Sequence, residues 1–200
     1  MRSESIVFAV AGMCFGVILG WVLGSQASNR AGDGVPQPAP QAAAAPQAQA
    51  APPLDEARVQ QLRTAIGADP KNAGTHAQLG NVYFDAQRFP DAIAAYEQSL
   101  KINPNDPDVS TDLGVSYFYT NRTDEALAQF EQSLKIDPKH TKTLLNKGIV
   151  LAFGKEDLRA AADEWKKVVE LAPDSPEGQR ARQALEGVAA SHAAGNPTNQ

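Results

Sequence analysis

The sequence predicts an all-α solenoid of three helix pairs, flanked by single capping helices and preceded by one transmembrane helix. Three observations carry that prediction. The octad EQSLKINP, from Glu97 to Pro104, returns as EQSLKIDP from Glu131 to Pro138, 34 residues later, with seven of eight letters identical. Gly80, Gly114 and Gly148 keep the same spacing, as do Pro70, Pro104 and Pro138, with Pro173 following after 35. Within each period, two stretches place apolar residues at i, i+3, i+4 and i+7, and both are too long for strands.

The first element is Ile6 to Gly24, 19 residues without a charge. At 1.5 Å per residue it spans about 28 Å, close to a bilayer's hydrocarbon core. Residues 1–24 therefore read as a membrane anchor. A cleaved signal peptide is the alternative, with Ser25-Gln26-Ala27 as its small-x-small site, but its apolar region is usually shorter. Gly12, Gly16, Gly20 and Gly24 fall four apart. On a helix they form one ridge of the kind that lets membrane helices approach closely, and so predict self- or hetero-association there. The N-terminal flank is short and a long domain follows, which suggests that the domain lies outside the cytoplasm.

Residues 25–53 form the linker. Pro36 to Pro53 consists only of alanine, proline and glutamine, with six prolines. Such a segment builds no core and no stable helix, and when extended it reaches roughly 55 Å. By analogy with similar linkers, it points to a bacterial inner (cell) membrane protein whose domain faces the periplasm.

Residues 54–190 form the folded domain. Val59, Leu62 and Ile66 make the apolar stripe of a first capping helix over 54–66, stopped by Gly67. Three units follow, at about 73–106, 107–140 and 141–174. In the first, Leu79, Val82, Tyr83 and Ala86 mark one helix face, and Ala92, Ile93, Tyr96 and Leu100 mark the next. A glycine inside a helix costs about 1 kcal/mol against alanine. Its recurrence predicts close approach of the paired helices, with Ala92, Ala126 and Ala161 opposite. Asp106 before Pro107 reads as an N-cap with proline at the first helical position. Thr123 reads as the cap of the next helix, followed by Asp124 and Glu125, which suit its dipole. Asn103-Pro104 and Asp137-Pro138 end the second helices. In the third unit Lys147 and Leu151 break the pattern, and the Gly154–Asp157 turn carries one extra residue. Ser175-Pro176-Glu177 starts a last capping helix over 175–190, with Ala181, Ala184, Leu185 and Val188 as its stripe. Residues 191–200 read as a disordered tail.

The chemistry-bearing residues exclude more than they suggest. The single cysteine, Cys14, lies in the anchor, so no intrachain disulfide or thiolate cluster exists. His76, His140 and His192 have no second ligand at i+3 or i+4. His140 stands at a helix start, where capping explains it. No phosphate loop, zinc motif, nucleophile elbow or dinucleotide fingerprint is present. A net charge of −5 without a basic patch argues against nucleic acid. The reading is a non-enzymatic protein with no cofactor and no metal.

Leu79-Gly80-x-x-Tyr83 and Leu113-Gly114-x-x-Tyr117 are followed by Ala92 with Tyr96 and Ala126 with Phe130, then by proline. This pattern resembles the tetratricopeptide repeat family over about half the chain. The resemblance implies a right-handed superhelix whose first helices line a concave groove for a protein or peptide partner. Carried over position by position, the groove takes Ala77, Asn81, Phe84 and Asp85 from the first unit. The second gives Asp108, Thr111, Val115, Phe118 and Tyr119, and the third Lys142, Leu145, Ile149 and Phe153. Family members that clamp a peptide carboxylate use lysine, asparagine and arginine at set positions. Asn81 and Lys142 match two of these, while Ala77, Asp112 and Asn146 do not, so an apolar peptide or helix is the implied ligand. The last capping helix or the linker is the competing occupant. The stretch from Gly148 to Gly187 is also similar to the repeat part of bacterial cytochrome c biogenesis proteins, which implies an assembly factor as the alternative to a scaffold.

Overall fold

A computed structural model describes residues 51–195, the last four by backbone alone. The chain divides into two units, Met1–Ala50 and Ala51–Gln200, and the described residues all lie in the second. The anchor, its glycine ridge and most of the linker fall outside the described residues. Among the described residues no helix is long and apolar enough to cross a membrane.

Eight helices follow one another here: α1 Glu56–Ala68, α2 Ala73–Asp85, α3 Phe89–Ile102, α4 Pro107–Tyr119, α5 Thr123–Ile136, α6 Thr141–Gly154, α7 Leu158–Leu171 and α8 Pro176–Gly195. The heaviest packing is within the pairs α2 with α3, α4 with α5 and α6 with α7. Lighter contacts link α3 to α4 and α5 to α6, and α1 and α8 cover the two ends. Contacts that skip one helix join α4 to α6 and α6 to α8, with no comparable packing between second helices. The first helices therefore lie on the inner side of the curve.

The buried stripes are those the periodicity predicts. Val59 and Leu62 of α1 join Leu79, Tyr83, Ala92, Ile93 and Tyr96 in one cluster that extends to Val109 and Leu113. Burying an apolar side chain of this size contributes about 1.5–3 kcal/mol. That gain is available only where a neighbouring helix covers the stripe, so a single pair cannot stand alone.

The recurrent glycines do permit close approach, but their main partner is aromatic. Tyr96, Phe130 and Trp165 are almost fully buried and lie across Gly80, Gly114 and Gly148. A Cβ on Gly114 would sit 2.6 Å from the Phe130 ring. The flat ring fills the notch that the missing side chain leaves. The alanine is the lesser neighbour, represented at Gly114 by the Ala126 carbonyl at 3.2 Å.

The helix ends correct four expectations. Asp106 caps α4 as predicted, its carboxylate accepting the Val109 N–H at 3.0 Å. Thr123, by contrast, is the first residue inside α5, and the N-cap is Arg122, whose side chain makes no capping bond. The shift comes from Asn121, which turns left-handed at φ 61° and brings Arg122 to the boundary. His140 holds the N-cap position of α6 without capping it. Gly67 does not stop α1, which runs to Ala68, because nothing crowds Gly67 and the C-cap N–H of Asp69 still reaches the Ala65 carbonyl. The helix predicted to fray after residue 190 continues to Gly195. At its start the Ser175 hydroxyl accepts the Gly178 N–H at 3.0 Å, as the helix-start signal anticipates.

Candidate functional site

Where α2 and α4 end, their aromatic side chains meet the first residue of α3. Phe84 stands edge-on to Phe89, with ring centroids 5.4 Å apart, and edge-on to Tyr119 at 6.2 Å. Phe89 and Tyr119 stack at 4.6 Å with planes 10° apart. All three rings are half-buried, so part of each remains open to solvent. Edge and stacked pairs of this kind add about 0.5–1.5 kcal/mol beyond area burial. The cluster is therefore a rigid apolar surface.

Polar groups sit along the same inner side. The Tyr96 hydroxyl donates to the Asn81 Oδ1 at 2.8 Å. This fixes the side-chain amide and leaves its nitrogen as a donor. Asp85, half-buried, has its carboxyl raised above the ordinary range by burial and then by the charge of Asp112. Burial also raises Asp112, although Lys142 pulls the other way through a 2.9 Å ion pair. Lys142 lies 3.5 Å from Asp108 as well. Burial opposes its charge, but Asp112 and Asp108 outweigh that and raise it. Asp108 is lowered to about 2, chiefly by its hydrogen bond with His140, against a smaller burial effect.

The sequence-predicted groove residues separate into three groups. Phe84 and Tyr119 meet at the ends of α2 and α4, with Asn81 and Asp85 on α2 and the pair of Asp108 and Lys142 joining α4 to α6. Val115 and Phe118 are half-exposed but lean on the core of Ala126, Phe130 and Val150, and Phe118 also lies against Gly154. Ile149 is half-buried, and Phe153 is 37% exposed at the end of α6. Thr111 and Leu145 are not available to a ligand, being 0% and 4% exposed. The Thr111 hydroxyl is held by Thr143 at 2.6 Å, by Ser133 at 3.1 Å and by the Pro107 carbonyl at 2.7 Å. Small hydroxyl side chains let α4 and α6 close together there, which removes Thr111 from the surface.

Two residues escape a reading by repeat position. Phe89 belongs to a second helix, where no groove position falls, yet it completes the aromatic cluster. Its signal is an aromatic residue before Pro90 at a helix start, where no core position requires one. Lys147, which breaks the leucine pattern, bridges Glu131 at 2.6 Å and Glu164 at 2.8 Å. Glu164 is nearly buried, and its carboxyl is lowered because Lys147 and Lys167 outweigh the burial effect. Lys147 therefore ties the second unit to the third. Among the described residues no group of three or more histidine, cysteine, aspartate or glutamate side chains is placed to hold a metal ion.

Comparison with known proteins agrees with this architecture. Residues 80–120 match a family model described as TPR repeat, and residues 107–140 match one described as tetratricopeptide repeat. No curated protein matches the sequence. Among solved structures, the crystal structure of MamA is similar at a TM-score of 0.61 and 18% identity, over 68% of this chain and 77% of that one. The first TPR domain of Spaghetti (RPAP3), bound to the HSP90 peptide SRMEEVD, has a TM-score of 0.56 and 23% identity over 62% of this chain and 96% of its own. The TPR domain of Arabidopsis OM64 has a TM-score of 0.53 and 16% identity over 57% and 94%. At these identities the likeness is one of fold. Residues 80–140 therefore carry tetratricopeptide repeats, and the helix pairs on either side continue the same packing.

Proposed function

We propose that this protein is a membrane-anchored scaffold or adaptor, without enzymatic activity, which receives an apolar segment of a partner protein on the inner face of its repeats. The reading places the chain in a bacterial inner membrane as a single-pass protein, with the repeat domain facing the periplasm. The observation that carries the binding role is the open aromatic cluster of Phe84, Phe89 and Tyr119, since exposed apolar surface on a repeat array marks a partner site. The placement in the membrane rests on the uncharged stretch from Ile6 to Gly24. Its glycine ridge of Gly12, Gly16, Gly20 and Gly24 adds a surface for association within the bilayer.

The RPAP3 domain, bound to an HSP90 peptide, is a precedent for peptide capture by this fold. The ligand differs here, because Ala77, Asp112 and Asn146 do not supply a carboxylate clamp. A second reading, an assembly factor that presents a substrate protein as in cytochrome c maturation, draws on the wording of Gly148 to Gly187. Deletion with loss of c-type cytochromes favours it over a scaffold. For the binding role, Phe84→Ala combined with Tyr119→Ala in the full-length chain abolishes co-purification of partner proteins with helicity unchanged. Partner retention in that variant moves the site away from this face.

A further inference from the structure

The aromatic cluster has a charged flank whose sign is the reverse of a carboxylate clamp. Asp85 follows Phe84 directly and occupies in its unit the position that Tyr119 holds in the next. Asp112 replaces the asparagine that a clamp would use. Asp85 is the last residue of α2, and burial, then the charge of Asp112, disfavours its ionised form. Lys142 compensates Asp112 and Asp108. Asp85 has no cationic partner among the described residues. Its neighbour Asn81 keeps an amide donor for a peptide carbonyl, because the Tyr96 hydroxyl holds its oxygen.

We infer that the segment received on this face carries a lysine or arginine beside an aromatic or long aliphatic residue, the cation lying against Asp85 at the end of α2 and the apolar side chain on Phe84, Phe89 and Tyr119. This rests on the proposed partner-binding role and specifies its ligand. Charge complementarity selects the occupant. A peptide ending in acidic residues would bring like charge against Asp85, which costs affinity, whereas an ammonium or guanidinium supplies the missing counter-charge. An arginine would also gain from the face of a neighbouring ring. Lys142, on α6, is engaged with Asp112 at 2.9 Å and Asp108 at 3.5 Å.

Asp85, unlike Asp112, carries a folding cost that no cation among the described residues offsets. Its carboxyl is raised by burial and then by the charge of Asp112, so its charged form is disfavoured in the folded state. A bound cation offsets that cost, as expected at a surface built for binding and not for stability.

The test is selection of random twelve-residue phage-displayed peptides on the full-length chain in mild detergent. The expected result is enrichment of lysine or arginine within two residues of an aromatic or leucine. For the best peptide, Asp85→Asn then weakens binding about tenfold, the usual scale for one charge-assisted contact. Replacing the peptide's cation by alanine weakens binding equally, and combining the two changes costs little more. Enriched peptides that lose binding on Tyr119→Ala but not on Asp85→Asn overturn the charge assignment and leave the groove reading intact. Enrichment of acidic peptides overturns it too. Absence of any enriched peptide removes both this inference and the partner-binding reading.

Discussion

Single residues in this protein divide between holding the repeats together and lining the proposed partner face, and the octads that announce the repeat belong to the first task. Ser99 and Ser133 are buried at matching positions, and each hydroxyl donates at 2.9 Å to the carbonyl of the first residue of the preceding helix, Ala73 or Pro107. The octads' opening glutamates reach the next unit: Glu97 accepts from the Tyr117 hydroxyl at 2.9 Å, and Glu131 pairs with Lys147. Asp85 belongs to the second task. Its carboxyl is raised in the folded state from the ordinary 3.8, so folding favours the protonated form. The resulting cost is absent below about pH 4, sets in as pH rises through the unfolded value, and persists at neutral pH. Asp85→Asn is therefore expected to raise the thermal midpoint at pH 7 and to leave it nearly unchanged at pH 3. Asp108 has the opposite sign, being lowered to about 2, so its contribution is present above about pH 4 and is lost as pH falls towards 2. Equal gains for Asp85→Asn at both pH values would contradict the assigned origin of the shift.

At the scale of elements, the turns between paired helices share one device. Gln87, Asn121 and Glu156 each adopt positive φ, at 56°, 61° and 57°. Asparagine tolerates this region, while glutamine and glutamate do so at a cost of about 1–2 kcal/mol. Glu156→Gly is expected to raise stability by up to about 1 kcal/mol, measured by urea denaturation, since relief of strain is partly offset by the freer unfolded chain. A loss of stability would mean that the Glu156 side chain holds the turn. The sequence announces the helices well because their stripes, prolines and most caps are local signals. It is weaker at Thr123, where a left-handed Asn121 moves the boundary by one residue, and at Gly67, where open space lets the helix continue. Neither the left-handed turn nor the open space leaves a mark in the local pattern.

For the molecule as a whole, the period determines the array, but the candidate groove depends on how closely successive first helices approach. Between α4 and α6, the hydroxyls of Thr111, Ser133 and Thr143 draw the helices together and withdraw Thr111 from any ligand. Between α2 and α4 no such packing exists, and the aromatic residues remain at the surface. Repeat position could place Asn81, Phe84 and Tyr119 on the inner face, but it could not separate open from closed stretches. Nor could it find Phe89, which arrives from a second helix. The central claim is that this inner face between α2 and α4 receives a partner segment. The most direct measurement places a photocrosslinking residue at Tyr119, and in a separate variant at the exposed Gln132 of α5, in the full-length protein in its native cells. The account predicts a defined crosslinked partner from position 119, lost on Phe84→Ala, and none from position 132. The same partner from position 132 alone would contradict it.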